Sequence, residues 1–215
     1  AVISGVRQYI QLTMESLVGV AADDGRVLWQ AKRKGATAVI PDPIVMGDRI
    51  YVSSGYGTGC NLFQVSGGGT FSVEQVYANK IMVNHHGGVL KLGEHLYGHS
   101  DSKGWTCQLF KTGEALWQDK AKLGKGSLVY ADDRLYCREE AEKGVVALAE
   151  ATTSGFVEKG RFTPPDRSGK KGWPHPVIVG GRLYLRDQLL LVMGKVLEFR
   201  RVLIDVARKN LDTVM

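Results

Sequence analysis

The chain has 215 residues, of which 44% are apolar, and a formal net charge of +6. This length is enough for one sizeable core or two small ones. The sequence contains no run of about 18 apolar residues, so no transmembrane helix is expected. Residues 1–20 lack a basic start, an apolar core and a small-residue cleavage site, so no signal peptide is expected in this chain.

The basic residues are dispersed along the chain rather than gathered into one stripe. Two short clusters, AKRKG (31–35) and RSGKKG (167–172), lie in turn-like surroundings without interleaved aromatic residues. Nucleic acid is therefore not an expected partner. The number of cysteines is odd and no C-x-x-C pair occurs, so a disulfide framework and a structural zinc site are both disfavoured. One disulfide plus a free thiol remains an alternative. The three cysteines are Cys60, Cys107 and Cys137.

A tight turn followed by an apolar strand that carries a tyrosine recurs five times along the chain. The five tyrosines are separated by 42, 46, 39 and 48 residues, and this regularity indicates an internal repeat. Each of the first four units also ends on an aromatic strand. The repeated segments are GVRQY (5–9), GDRIY (47–51), GEHLY (93–97), DDRLY (132–136) and GGRLY (180–184).

Within a unit the apolar runs are short and bounded by Gly, Asp, Asn and Pro, which is typical of strands joined by tight turns. Hairpins are predicted around Gly47-Asp48 and Gly180-Gly181. About four strands fit into each unit of roughly 40–45 residues, the period of a β-propeller blade. The sequence therefore predicts an all-β propeller built from four-stranded antiparallel blades.

Two segments carry a family resemblance, LVGVAADDGRVLW (17–29) and WTCQLFKTGEALW (105–117). Both resemble the tryptophan motif of pyrroloquinoline-quinone-like (PQQ-like) propeller repeats, over roughly residues 5–187. The resemblance implies that Trp29 and Trp117 are structural and dock between neighbouring blades. It also implies a periplasmic or extracellular location. The family includes quinone-dependent alcohol dehydrogenases, a scaffold lipoprotein of outer-membrane assembly and secreted propellers of unknown role.

The repeats predict about four blades within residues 1–188. We expect the chain to begin at a second strand, to hold three whole units and to end after a first and a second strand. Such a chain is either an open arc, completed by missing blades or another chain, or a four-blade ring closed by its last inner strand. The three whole units are expected at about residues 39–80, 87–120 and 125–163.

Residues 189–215 depart from the repeat, because the expected third strand does not follow cleanly. Within this tail, residues 195–211 place apolar side chains at helical spacing with basic residues on the other face. This pattern predicts an amphipathic helix that covers an open sheet edge or, less favoured, binds a membrane surface.

Propeller geometry predicts where a site lies, because residues before each inner strand and after each tyrosine-bearing strand meet around one mouth of the central channel. Polar and ionisable residues concentrate at these places, whereas the strands between them are apolar. The ligand-binding candidates are Asp42, His85, His86, Asp101, Lys125, Glu140, His175 and Asp187.

Adjacent residues of a strand point to opposite faces, so His85 and His86 are not expected to bind one ion together. Either histidine could form a metal site with His175 and a carboxylate, or simply bond to a backbone carbonyl. Lys125 is predicted to face Glu140, as an ion pair between blades or as a reader of an anionic or sugar ligand.

The favoured function is a non-catalytic scaffold whose top face binds a polar small molecule, a carbohydrate or a protein. The alternative is a quinoprotein-type alcohol dehydrogenase or a metal-assisted enzyme that uses His86, His175, Asp101 and Asp187. Pyrroloquinoline quinone and calcium are implied by the resemblance alone. The resembling quinoproteins use an eight-bladed ring and a vicinal Cys-Cys disulfide, whereas this chain is short and has no Cys-Cys pair.

Overall fold

The computed structural model describes residues 1–67 and 69–195, where nineteen β-strands form five antiparallel sheets. Among these residues no helix has the length and apolar character needed to cross a membrane. The strands of blades 1 and 2 are β1 (Val2–Ile3), β2 (Val6–Leu12), β3 (Ser16–Ala21), β4 (Val27–Lys32), β5 (Ile44–Met46), β6 (Arg49–Ser54), β7 (Gly59–Ser66) and β8 (Ser72–Asn79). Those of blades 3 to 5 are β9 (Val89–Leu92), β10 (His95–Ser100), β11 (Gly104–Leu109), β12 (Ala115–Asp119), β13 (Gly126–Ala131), β14 (Arg134–Glu139), β15 (Val146–Glu150), β16 (Glu158–Phe162), β17 (Val177–Val179), β18 (Arg182–Asp187) and β19 (Leu190–Lys195).

Each sheet is a meander in which every strand pairs with the next along the chain, as the propeller prediction requires. Blades 1 to 4 have four strands and blade 5 has three described strands. The expectation that the chain begins at a second strand is wrong. The inner strand of blade 1 is β1, whose two residues, Val2 and Ile3, are too short a run to signal a strand.

The end of the described chain also differs from expectation. The third strand of blade 5, which the sequence pattern did not reveal after residue 188, is β19, and it pairs with β18 from Asp187↔Leu190 to Arg182↔Lys195. Lys195, the first residue of the predicted helix over 195–211, is the last residue of this strand, and residues 196–211 lie outside the described residues. The turn into β19 has no glycine and is only two residues long, so the repeat signal is weak here.

Buried apolar side chains fill the space between neighbouring blades, so the core is divided into four layers rather than gathered into one centre. Each sheet contributes one face to the preceding blade and the other face to the following one. Representative residues are Leu17, Trp29, Ile50 and Phe63 between blades 1 and 2; Tyr51, Leu62, Leu96 and Phe110 between blades 2 and 3; Tyr97, Trp105, Leu128 and Leu135 between blades 3 and 4; and Tyr136, Leu148, Leu183 and Leu185 between blades 4 and 5.

The recurring tyrosine is one residue out of phase in blade 1. In every four-stranded blade the pairing register shifts once within the third strand, as at a β-bulge. In blade 1 the shift follows Gly19, whose partner on the second strand is Ile10. Ile10 therefore faces the layer between blades 1 and 2, whereas the adjacent Tyr9 points to the opposite face of the sheet and is 64% exposed. A one-residue slip moves a side chain across the sheet. The residues at the equivalent position in blades 2 to 4 are Tyr51, Tyr97 and Tyr136.

The outward faces of the first and last blades are exposed, so the five sheets of the described residues form an open arc and not a closed four-blade ring. On blade 1, cross-strand pairing places the exposed Tyr9 and Val27 on the same outward face. On blade 5 the same is true of Val177, Leu191 and Met193.

Substitution by alanine is expected to change the free energy of unfolding much more at a buried repeat tyrosine than at the exposed Tyr9. Tyr97→Ala, at a side chain that is 3% exposed between blades 3 and 4, is expected to lower the free energy of unfolding by about 3 kcal/mol. Tyr9→Ala, in the equivalent sequence motif, is expected to change it by less than about 0.5 kcal/mol. Urea denaturation followed by circular dichroism measures both. Equal losses would show that the two tyrosines occupy equivalent positions.

Candidate functional site

A cavity of about 880 Å³ lies where the starts of the inner strands meet the ends of the second strands, and we call it the mouth cavity. Turns and loops from blades 2 to 5 contribute its lining. Its polar lining residues are His85, His86, Lys125, Glu140, Lys171, His175, Arg186 and Gln188. Its remaining lining residues are Ile40, Tyr56, Trp173, Pro174 and Leu189.

Both adjacent histidines line the mouth cavity, which strand alternation did not predict. They lie in a bend before β9, so the opposite-face rule for strands does not apply. The rings of His85 and His86 are nearly perpendicular, with centroids 5.5 Å apart. Gly87 follows them, and a Cβ at this position would lie 1.9 Å from the Gly126 carbonyl oxygen of blade 4. Only glycine allows the backbones of blades 3 and 4 to approach this closely.

The charged candidates pair differently from the sequence prediction. Lys125 does not pair with Glu140: its Nζ lies 3.0 Å from Asp101 Oδ1 and also contacts His85 Nδ1. Glu140 Oε2 instead lies 3.3 Å from His86 Nε2. Asp101 and His86 belong to blade 3, whereas Lys125 and Glu140 belong to blade 4. Two polar contacts therefore cross the same blade interface at its inner end.

His175 lies at the mouth cavity with its ring nitrogen engaged by backbone. Its Nε2 donates to the carbonyl oxygen of His86 over 2.7 Å, which fixes the protonated ring nitrogen. His175 and His86 also line a second cavity of about 370 Å³, together with Asp42. This second cavity adjoins the mouth cavity and lies against the inner strands, and its apolar lining includes Ile44, Val89, Leu90 and Leu128.

Asp187 does not line the mouth cavity, because its carboxylate is buried in a network with the preceding loop. Its oxygens accept hydrogen bonds from Ser168 N at 2.6 Å and Ser168 Oγ at 3.1 Å, and they face Arg167 Nη1 at 2.9 Å. Burial opposes ionisation, but these bonds and the Arg167 charge outweigh it and lower the pKa of Asp187. The Asp187 side chain thus anchors the loop, and its buried carboxylate does not face the mouth cavity.

That loop connects β16 to β17 and presents Trp173, a residue that the sequence reasoning missed. Its prolines disfavour regular structure, so tertiary hydrogen bonds hold it in place. Gly172 N donates to the Glu140 carbonyl oxygen at 2.9 Å, and Arg138 Nη1 donates to the Pro174 carbonyl oxygen at 3.0 Å. Trp173 is nevertheless 61% exposed. A tryptophan between glycine and proline, outside any apolar run, was the signal that could have identified it.

Tyr56 is the second aromatic residue that the sequence reasoning missed. It lies in the turn between β6 and β7 with a φ of 52°, a left-handed conformation that is uncommon for tyrosine. Its ring is 4.5 Å from the His85 ring, centroid to centroid. The close approach depends on Gly55, where a Cβ would lie 2.9 Å from the His85 Cα. Tyr56 extends the row of rings through His85 and His86 to Trp173.

The two repeat tryptophans lie at blade interfaces, away from the mouth cavity. Trp29 packs between blades 1 and 2, and its Nε1 donates to Gln8 Oε1 at 2.6 Å. Trp117 packs against the layer between blades 3 and 4, and its Nε1 donates to the Thr152 carbonyl oxygen at 2.8 Å.

Among the described residues, no group of three or more His, Cys, Asp or Glu side chains is arranged to hold a metal ion. Cys60, Cys107 and Cys137 are free, buried thiols on three different blades.

Two histidines are held neutral by burial. Burial lowers the pKa of His86 to about 4, although the nearby Glu140 opposes this shift. Burial likewise lowers the pKa of His99 to about 4, against the influence of Asp101. His99 lies in β10 with its ring against Trp105, so it is part of the interface between blades 3 and 4.

These pKa values predict that acid destabilises the arc. Above about pH 7.5 both histidines are neutral in the folded and unfolded chain. As the pH falls toward 4 the unfolded chain takes up protons first, so stability is lost, by up to about 3 kcal/mol per histidine. His99→Gln is expected to flatten the decline in urea-unfolding free energy between pH 7 and 4.5. His86→Gln provides an independent second variant, and unchanged slopes in both would contradict the assignment.

Removing the charge of the buried Asp187 is expected to destabilise the loop that it anchors. Asp187→Asn is expected to cost about 3 kcal/mol in unfolding free energy, because it leaves Arg167 without its carboxylate. The loop should also become more sensitive to trypsin at Arg167, measured by limited proteolysis and mass spectrometry. Asp42→Asn, at an exposed carboxylate, is the matched control and should leave both readouts unchanged. Equal effects of the two substitutions would contradict the anchoring role.

Comparison with known proteins gives a family match and broad structural matches. The family model described as "Outer membrane protein assembly factor BamB" matches residues 1–119, more than half of the chain. BamB from Moraxella catarrhalis superposes with a TM-score of 0.55 at 15% identity, covering 90% of this chain and 56% of that one. A candidate 6-phosphogluconolactonase from Bacteroides fragilis superposes with a TM-score of 0.54 at 12% identity, covering 88% of this chain and 62% of that one.

At these identities the two superpositions show the propeller fold alone, and the chain spans less than two thirds of either structure. One further match is short. A 34-residue stretch is 53% identical to argininosuccinate lyase from Nostoc sp., covering 16% of this chain and 7% of the lyase. That overlap is too small to bear on the fold or the function.

Proposed function

The chain belongs to the family of outer membrane protein assembly factor BamB, and we propose that it is a non-catalytic scaffold that binds another polypeptide through its mouth cavity. The fold supports a scaffold or binding module in general. The polypeptide partner and the mouth cavity as its binding place are the specific parts of the proposal.

The exposed apolar rim of the mouth cavity is the observation that carries this proposal. Trp173 is 61% exposed and Tyr56 53%, and the aliphatic Ile40 and Leu189 are 56% and 98% exposed. All four side chains line one cavity that also contains charged groups. Aromatic residues within a polar surround are typical of the energetic centre of protein interfaces.

The titratable groups of the mouth cavity support binding rather than catalysis. Lys125 is paired with Asp101, and Glu140 lies against His86, whose pKa is well below neutrality. His175 donates to a backbone carbonyl oxygen. The Lys125 ammonium and His175 Nε2 are thus engaged in contacts that join blades, and the low pKa of His86 makes its imidazole a weak base at neutral pH.

We base the proposed partner and the proposed cellular location on the description of the family. A family described as an outer membrane protein assembly factor implies a partner from that assembly machinery and a periplasmic site of action. Since the chain spans 56% of the length of the BamB structure, these proposals apply to the part of the surface that it contains.

Site-specific photo-crosslinking tests the proposal. A benzophenone amino acid at Trp173 should give a discrete adduct in periplasmic extract, identified by mass spectrometry as a subunit of the outer-membrane assembly machinery. The same amino acid at Tyr130, an exposed aromatic in the hairpin at the opposite end of blade 4, is the control and should give none. Identical adducts at both positions, or no such subunit at Trp173, would overturn the proposal.

A further inference from the structure

The charges and apolar groups of the mouth cavity point to a more specific ligand than a polypeptide in general. We infer that the mouth cavity receives an extended peptide in which a carboxylate lies next to a large apolar side chain. This inference rests on the proposed function and adds the chemistry of the bound segment.

The charge balance of the mouth cavity favours an anionic group. Its lining includes the cations Lys125, Lys171 and Arg186, against the single carboxylate of Glu140. Lys125 is compensated by Asp101, but the Lys171 side chain is 65% exposed and lies 3.8 Å from Glu140. With Asp101 included, three cations face two carboxylates, so one positive charge is in excess; the exposed Lys171 and Arg186 place it at the open side of the cavity, where it attracts a carboxylate and disfavours a basic segment.

The apolar lining favours a peptide over a free anion or a sugar. An inorganic anion or a carbohydrate gains little from the aliphatic Ile40 and Leu189, whereas an apolar side chain is transferred from water onto them. Trp173 offers a broad exposed ring beside these groups. Large apolar and aromatic anchors are the usual source of affinity in peptide and protein binding.

The second cavity gives the apolar side chain a place to enter. It shares Ile40, His86 and His175 with the mouth cavity, so the two cavities adjoin each other. Its apolar lining comes from the first strands of blades 2, 3 and 4, at Ile44, Val89, Leu90 and Leu128. Because the two cavities adjoin, a side chain inserted here lies near the cationic lining of the mouth cavity, so we expect the carboxylate and the apolar side chain at neighbouring positions of one peptide segment.

Fluorescence anisotropy with three labelled peptides tests the ligand chemistry. The acidic probe is Gly-Ser-Asp-Leu-Glu-Phe-Asp-Ser-Gly; one analogue replaces its acids with the corresponding amides, and the other replaces Leu and Phe with Ser. The acidic probe should bind at least tenfold more tightly than either analogue, and its affinity should fall as sodium chloride is raised from 50 to 300 mM. Equal affinity of all three peptides, or no binding by any, would overturn the inference.

Matched variants of the full chain locate the binding. Lys171→Gln should lower the affinity for the acidic probe about threefold, and Trp173→Ala should lower it about tenfold. The control is Lys111→Gln, in the turn between β11 and β12 at the end of blade 3 that lies away from the mouth cavity, where the side chain is 61% exposed, close to the 65% of Lys171. This control should bind like the unaltered chain, and circular dichroism checks that each variant is folded.

The same variants distinguish a failure of the acidic specificity from a failure of the mouth cavity as a polypeptide-binding site. If the neutral analogue binds as tightly as the acidic probe and only Trp173→Ala weakens it, the acidic specificity is overturned while the mouth cavity stands as a polypeptide site. If Lys171→Gln and Lys111→Gln weaken binding equally, the peptide is held by general surface charge and the inference is overturned.

Discussion

The structure depends on a requirement that every blade imposes on its neighbours: both faces of each twisted sheet are apolar and need cover. A four-stranded sheet of about 35 residues cannot form a core by itself, so stability arises in the layers between sheets. The β-bulge in the third strand of each four-stranded blade fits this arrangement, since it increases local twist where the outer strands diverge. The buried Tyr51, Tyr97 and Tyr136 occupy the positions opposite those bulges and reach the following blade.

The mouth cavity is a consequence of the same arrangement. Packing sheets face to face around an axis brings their inner strands close together, and the ends of those strands supply the polar groups. Gly87 allows the backbones of blades 3 and 4 to meet, and the contacts of Lys125 with Asp101 and of Glu140 with His86 join the same two blades. The rigid inner ends then carry loops whose exposed aromatic residues are free to contact a partner.

The sequence was sufficient to predict the all-β propeller, because repeated turns and apolar strands encode each blade locally. Its errors have physical causes. Tyr9 shares a motif with the buried tyrosines, but pairing register is set between strands and places Ile10 at the inward position. The two-residue β1 leaves no periodic signal, and β19 follows β18 through a turn without glycine.

Most of the candidate site residues do lie around one cavity, since propeller topology alone dictates which strand ends meet. Their partners could not be predicted, because a salt bridge depends on side-chain reach across an interface. Glu140 contacts His86 rather than Lys125 for this reason. Trp173 was missed because its loop has no regular structure, and long-range hydrogen bonds to Arg138 and Glu140 determine where it lies.

The division of the core into successive layers has a consequence for how the molecule opens. Every layer joins blades that are adjacent along the chain, so no contact of the core links distant parts of the sequence. Blades 1 and 5 are each secured by one layer within the described residues, and the inner blades by two. Fluctuations that release a terminal blade therefore require less free energy than those that open the middle, and amide hydrogen exchange becomes slower from both ends of the arc toward blade 3.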